Sequence, residues 1–237
     1  MMSAILQTEF LKMRRKLIWL LVFLGPAGVI CVQACNFSLR YEYLTELYRE
    51  DLWGGLIKQV CFLALPALLM GVTIVASMIA GIEHQANSWK QLLALPVTKT
   101  KIFAGKLLVA TFLLFLSSTL LGIGSIILGL CLQLGSDIPV RFILEMVYYP
   151  FLAVFPFISL QIWLSIVMKN QAIPLIIGIV GMILAMYGSA FPDWVPYKWP
   201  TLENQWDFPL YSSFAGLSLG VILYLIGFID FAKRDVK

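Results

Sequence analysis

Residues 58–83 read KQVCFLALPALLMGVTIVASMIAGIE, a run of 24 uncharged residues closed by Lys58 and Glu83. A hydrocarbon core of ~30 Å takes about 20 helical residues to cross, at ~1.5 Å per residue. This stretch reads as a membrane-spanning helix, and the remaining charges mark out its companions. A first apolar run follows Lys16 and ends at Arg40, giving a span near Leu17 to Asn36. Lys106 and Asp137 enclose 30 uncharged residues, enough to tilt or to extend past the bilayer. Glu145 and Lys169 enclose 23, Lys169 and Asp193 another 23, and Asp207 and Asp230 enclose 22. Lys169 stands alone between two runs, so Lys169, Asn170 and Gln171 form a very short loop. The expectation is an all-α, polytopic membrane protein with six transmembrane helices, built as one domain over residues 1–237.

Composition agrees. Hydrophobic residues make up 60% of the chain and charged ones 13%, against roughly a quarter charged in soluble domains. The mean hydropathy is +0.89, and no stretch is polar enough to form a soluble domain. The basic start (Lys12, Arg14, Arg15, Lys16) followed by an apolar run also has the make-up of a signal peptide. That run is too long for a signal core and no small-x-small cleavage site closes it, so it reads as a retained span.

Lysine and arginine stay on the cytoplasmic side of a membrane protein. With six spans and the N-terminus inside, only Arg40, Arg49, Lys58, Arg141 and Lys198 of the 17 basic residues fall outside. Only Glu9, Glu83, Asp230 and Asp235 of the acids fall inside. Both termini are therefore expected in the cytoplasm, and the net charge of +4 reports topology; nucleic acid is not an implied partner. The cysteines, Cys31, Cys35, Cys61 and Cys131, all fall in spans. Cys31 and Cys35 are one turn apart, but two thiols without His or carboxylate company read as buried packing residues rather than a metal site.

Three segments between spans carry most of the information. Ser38 to Ile57 alternates acid and base, with Tyr41, Leu44, Leu47, Tyr48 and Leu52 at helical spacing, an amphipathic stretch on the outer surface. Residues 191–210 are rich in Pro and Trp (Pro192, Trp194, Pro196, Trp199, Pro200, Trp206, Pro209), a folded extracellular cap anchored at headgroup level. The cytoplasmic segment 83–101 is the most distinctive. Asn87 or Ser88 can cap a short helix carrying Trp89, Leu92, Leu93 and Leu95, which Pro96 ends. Thr98 or Thr100 then caps the helix that enters the third span.

Catalytic signatures are missing. Gly105-Lys106 lacks the upstream glycine and following hydroxyl of a phosphate-binding loop. A single histidine, His84, cannot build a histidine zinc site, and it reads as a surface or interface residue. No metal ligand set and no catalytic residue is assigned. No ionisable group is expected deep in a span, which weighs against ion-coupled transport. Among polar residues in spans, Gln33, Gln161, Thr73 and Ser77 are the candidates for a substrate path; helix-to-helix hydrogen bonding is the competing reading.

Glu83, Trp89, Leu92, Leu93, Pro96-Val97-Thr98, Lys101 and Lys106 together resemble the pattern of type 2 ATP-binding-cassette exporter permeases. The chain is most similar to the small bacterial permeases of lantibiotic immunity and bacitracin resistance. The opening Glu9-Phe10-Leu11-Lys12 and the Pro/Trp-rich segment before the last span extend the likeness to essentially the whole chain. The resemblance implies that residues 1–16 form a cytoplasmic connecting helix along the inner leaflet, with Ile5, Phe10 and Leu11 on its apolar face. It also implies that Glu83, Trp89, Leu92, Leu93, Pro96 and Lys101 couple to a separate ATPase. ATP and Mg would be bound by that partner and no cofactor by this chain. The implied assembly has two ATPase subunits and two permease chains, identical or paralogous, in the lipid of a bacterial plasma membrane. A peptide antibiotic or another amphipathic, lipid-like molecule is the implied cargo. A membrane sensor or accessory subunit and an ion-coupled transporter are the alternatives.

Overall fold

A computed structural model describes residues 2–14, 16–85 and 98–233. The described residues form nine α-helices: α1 Met2–Met13, α2 Ile18–Leu39, α3 Tyr41–Leu47, α4 Leu52–Gln85, α5 Lys99–Cys131, α6 Val140–Ala153, α7 Phe155–Val167, α8 Ala172–Met186 and α9 Pro209–Lys233. Two 3-10 turns, Gly188–Ala190 and Trp199–Thr201, lie between α8 and α9. The all-α expectation holds for these residues.

The apolar runs became helices because inside hydrocarbon every backbone donor and acceptor must be satisfied within the segment. Four helices, α2, α4, α5 and α9, are long and apolar enough to cross a membrane. The run between Glu145 and Lys169 is not one straight helix. α6 and α7 meet at Val154 with a bend of 41°. Pro150 lies inside α6 and Pro156 in the first turn of α7; each lacks an amide donor, and the ring crowds the preceding turn. Counted as one span, the pair makes a fifth. α8 has 15 residues, which reaches only about 22 Å. The rest of its apolar run turns into the first 3-10 turn instead.

α4 is the central element, packing against α2, α5, α7 and α8, while α9 closes the bundle over α6 and α7. Gly216 and Gly220 of α9 make that closure possible. A Cβ on Gly216 would lie 2.6 Å from Ala153 Cα, and one on Gly220 would lie 2.8 Å from the Phe155 carbonyl carbon. Small residues four apart let two helices approach backbone to backbone.

One large apolar cluster joins α1, α2, α4, α5, α7 and α9 around Ile79, Phe103, Leu113 and Ile162. A second, around Phe37, Leu56 and Val60, joins α2, α3, α4 and α5 toward the other end. The ends differ in charge: one carries Lys12, Lys99, Lys101 and Lys233 (the basic end), and the other the Pro/Trp-rich segment (the cap end).

The amphipathic stretch expected outside splits in two. Leu44 of α3 is buried, while Tyr41 and Leu47 are exposed. Asp51 then starts α4 by accepting the Gly54 amide at 2.8 Å. The cap folds around Asp193, which pairs with Lys198 at 2.8 Å, while the Trp199 indole donates to the Asp193 carbonyl at 2.7 Å. The expected burial of Cys31 and Cys35 does not hold. Both are exposed on α2, because Val29, Gln33 and Phe37 occupy the inward face and the thiols fall on the opposite stripe.

Candidate functional site

Four charged side chains meet at the basic end and form a closed ring. Lys106 Nζ donates to Glu83 Oε2 at 2.7 Å and to Glu9 Oε2 at 3.1 Å. Lys12 Nζ donates to Glu9 Oε1 at 2.7 Å and to Glu83 Oε1 at 2.9 Å. Lys106 also donates to the Ile79 carbonyl at 3.3 Å. Lys106 is 0% exposed, Glu83 1% and Glu9 3%, so three of the four charges are out of water.

Local structure explains how they come together. Glu9 and Lys12 are three residues apart on α1 and share its face. α5 begins at Lys99, seven residues before Lys106, so the lysine sits two turns inside the helix. α1 lies close against α5, with Ile5 Cγ2 at 2.8 Å from where a Cβ on Gly105 would be. Phe10 completes the seat, ring centroids 6.2 Å from Trp19 and 5.5 Å from Phe112.

Helix dipoles do not assemble the ring. Glu83, in the last turn of α4, is at the less favourable pole for its charge, and Lys106, two turns inside α5, is beyond the reach of that helix's dipole. What holds them is mutual pairing: two cations, two carboxylates, and a net charge of zero. Removing one member leaves an uncompensated buried charge, which costs several kcal/mol, roughly 3–5 in typical cases. Burial works against charge on Lys12, but its hydrogen bonds to Glu9 and Glu83 outweigh this and raise its pKa above the ordinary lysine value.

The ring encloses the base of the connection between α4 and α5, and two further tethers fasten the same connection. His84 Nε2 lies 3.1 Å from the Ser165 carbonyl. Gln171 donates to that carbonyl and to the Met168 carbonyl, both at 2.9 Å, satisfying orphan acceptors at the end of α7. On the far side, Lys99 Nζ donates to the Ala232 carbonyl at 3.4 Å near the end of α9. Trp163 of α7 donates to Asp230 of α9 at 2.9 Å. Glu83, His84 and Lys99 are thus fixed to α1, α7 and α9.

Of the residues expected to couple, Glu83 is in the ring and Lys101 is in the first turn of α5. Trp89, Leu92, Leu93 and Pro96 lie outside the described residues. The substrate-path candidates do not converge on one cavity. Gln33 donates to the Gln59 carbonyl at 2.6 Å, Gln161 to the Pro174 carbonyl at 2.7 Å, and Thr73 to the Leu69 carbonyl at 2.9 Å. Ser77 donates to Gln171 Oε1 at 3.2 Å. Thr73 and Gln161 share a void of about 20 Å³, room for about one water.

Sequence reading missed Glu9 and Lys12 as partners of Glu83, and took Lys106 only as the charge that brackets the third span. The available signal was the pairing of opposite charges, Glu83 and Lys106, on either side of one connection, beside a matching Glu9/Lys12 pair.

No curated protein and no solved structure matches the chain. The family model described as ABC-2 family transporter protein matches residues 5–185, a stretch that contains every member of the ring. Members of this family are membrane components of ABC transporters, without catalytic activity themselves, and generally work with ABC ATPase subunits. The chain therefore belongs to the ABC-2 family of transporter proteins.

Proposed function

We propose that the chain is the permease subunit of an ATP-driven exporter of the bacterial plasma membrane, with six spans and both termini in the cytoplasm. In this topology the basic end faces the cytoplasm, and α8 is the fifth span, between the α6–α7 pair and α9, which brings the count to six. Segment 83–101 docks on a separate ATPase, with Trp89, Leu92 and Leu93 as apolar anchors in a groove. Two ATPases and a second permease chain, identical or paralogous, complete the unit. The cargo is a peptide antibiotic or another amphipathic, lipid-like molecule, moved outward for immunity or resistance.

The supporting observation is the ion ring at the base of that segment. A docked partner that closes on ATP pulls on residues 83–101, and the ring makes α1, α4 and α5 move as one body. α4 and α5, with 34 and 33 residues, run about 50 Å each, so motion at the cytoplasmic side reaches the cap end. Such rigid-body rocking is a common way of switching access.

Purification of the tagged chain from its native membrane, beside a Trp89→Asp variant, tests the reading. Copurification of an ATP-hydrolysing partner with the wild type but not the variant is the expected outcome. Absence of any ATPase from both preparations would falsify it. Transport that survives ATP depletion and collapses with an uncoupler would replace it with ion-coupled transport. An ATPase that copurifies yet is stimulated by no cargo would point to a sensor or accessory subunit.

A further inference from the structure

Three cavities lie in succession along one face of α4. The first, of about 820 Å³, is walled by the α3–α4 turn and by Thr201 and Glu203 of the cap. The second, of about 380 Å³, shares Lys58, Cys61, Met146, Thr201 and Glu203 with the first. The third, of about 310 Å³, shares Ala64, Leu68, Ser118 and Leu121 with the second and reaches Pro26 and Val75. Cys61, Ala64, Leu68, Gly71 and Val75 are spaced three and four apart, so one stripe of α4 lines the series. From Lys58 to Val75 this stripe covers about 25 Å.

Polarity falls along the series. Among the described residues, Lys58 and Glu203 are the only charged ones facing the second cavity. Neither has an ion-pair partner among the described residues. Deeper in, the lining of the third cavity is hydrocarbon apart from Ser117 and Ser118. Ser118 is 7% exposed and lines both the second and the third cavity, and its hydroxyl makes no hydrogen bond among the described residues. The hydroxyl opens on both cavities, so it is free to donate to an acceptor on a ligand there. The rim of the second cavity includes Phe62, 71% exposed, and Met186, 50% exposed, apolar side chains of the kind that face lipid.

We propose that these cavities form a binding site for a zwitterionic acyl lipid. Its ammonium group faces Glu203, its phosphate faces Lys58, and its chain passes Ser118, which donates to an acyl carbonyl, into the pocket beside Pro26. One cation and one carboxylate across a single cavity complement a head carrying both charges better than an anionic or a neutral one. The site stands independently of whether an ATPase docks at the opposite end.

Photolabelling tests it. The full chain is placed in phosphatidylglycerol vesicles with a trace of phosphatidylethanolamine bearing a diazirine in its acyl chain, and the labelled peptides are mapped. Labels on Leu68, Ser118 and Leu121, suppressed by unlabelled phosphatidylethanolamine and not by diacylglycerol, are the expected result. Lys58→Gln with Glu203→Gln lowers labelling roughly tenfold, and Ala64→Trp, which fills the path, abolishes it. Should Ala64→Trp fail to fold, the exposed Lys58 and Glu203 changes still decide the matter. Labels confined to outward residues such as Leu144 and Ile179 would mean surrounding lipid only and overturn the site. Equal suppression by diacylglycerol, or no effect of the paired charge removal, would overturn the assignment of the head.

Discussion

At the residue scale, the ring of Glu9, Lys12, Glu83 and Lys106 concentrates the most energy in the fewest atoms. Lys106→Met leaves two buried carboxylates with one cation between them, and thermal unfolding in detergent should show a loss of about 3–5 kcal/mol. In a double-mutant cycle, Lys106→Met with Glu83→Gln should lose less than the sum of the two, by about 0.5–3 kcal/mol. Strict additivity would mean that the two side chains do not act together. At the cap, the hydrogen bond from Lys198 holds the Asp193 carboxyl below the usual carboxylate range. A depressed carboxylate pKa contributes stability that is complete above the unfolded value near 3.9 and is lost as pH falls through the folded value. Tryptophan emission, reporting on Trp199 beside Asp193, should therefore hold steady down to about pH 4 and change below it. An Asp193→Asn variant should lack that transition; its persistence would assign the transition to another group.

At the element scale, charge spacing located the long apolar helices because hydrocarbon rejects charge almost without exception. The boundaries of α2 and α9 lie close to the charges that bracket them for this reason, while α4 starts six residues ahead of Lys58, at Leu52. Two elements departed from that reading through backbone chemistry, which apolar runs do not register. Pro150 and Pro156 bend the fourth run at Val154, and α8 stops at Met186 although the uncharged run continues to Pro192. The site was half legible. Glu83 stood out beside its segment, but the burial of Lys106 depends on α5 starting at Lys99 and on α1 packing over it, and both are tertiary facts. Close packing of α9 offers its own test. Gly216→Val places atoms inside the Ala153 backbone and should cost about 1–3 kcal/mol. Gly28→Ala, where a Cβ meets nothing within 4 Å, should be neutral or slightly stabilising. Similar unfolding temperatures for both variants would show that α9 does not approach Ala153 as described.

At the scale of the whole molecule, the chain is a bundle with two different ends. One end gathers lysines and a ring of buried charge around the base of a connection; the other is closed by a cap rich in Trp and Pro. Between them α4 touches most of the bundle, so force applied at Glu83 reaches α2, α7 and α8 through packing alone. That design suits a protein moved by a partner rather than by chemistry of its own.

The most direct measurement is site-specific photo-crosslinking in native membranes, with a reactive amino acid placed at Leu92 or, in a second strain, at Gln205 in the cap. Capture of a chain that binds and hydrolyses ATP from position 92, and not from 205, is the expected result. Capture from 205, or no ATP-binding chain from either position, would contradict the assignment of segment 83–101 as the coupling element.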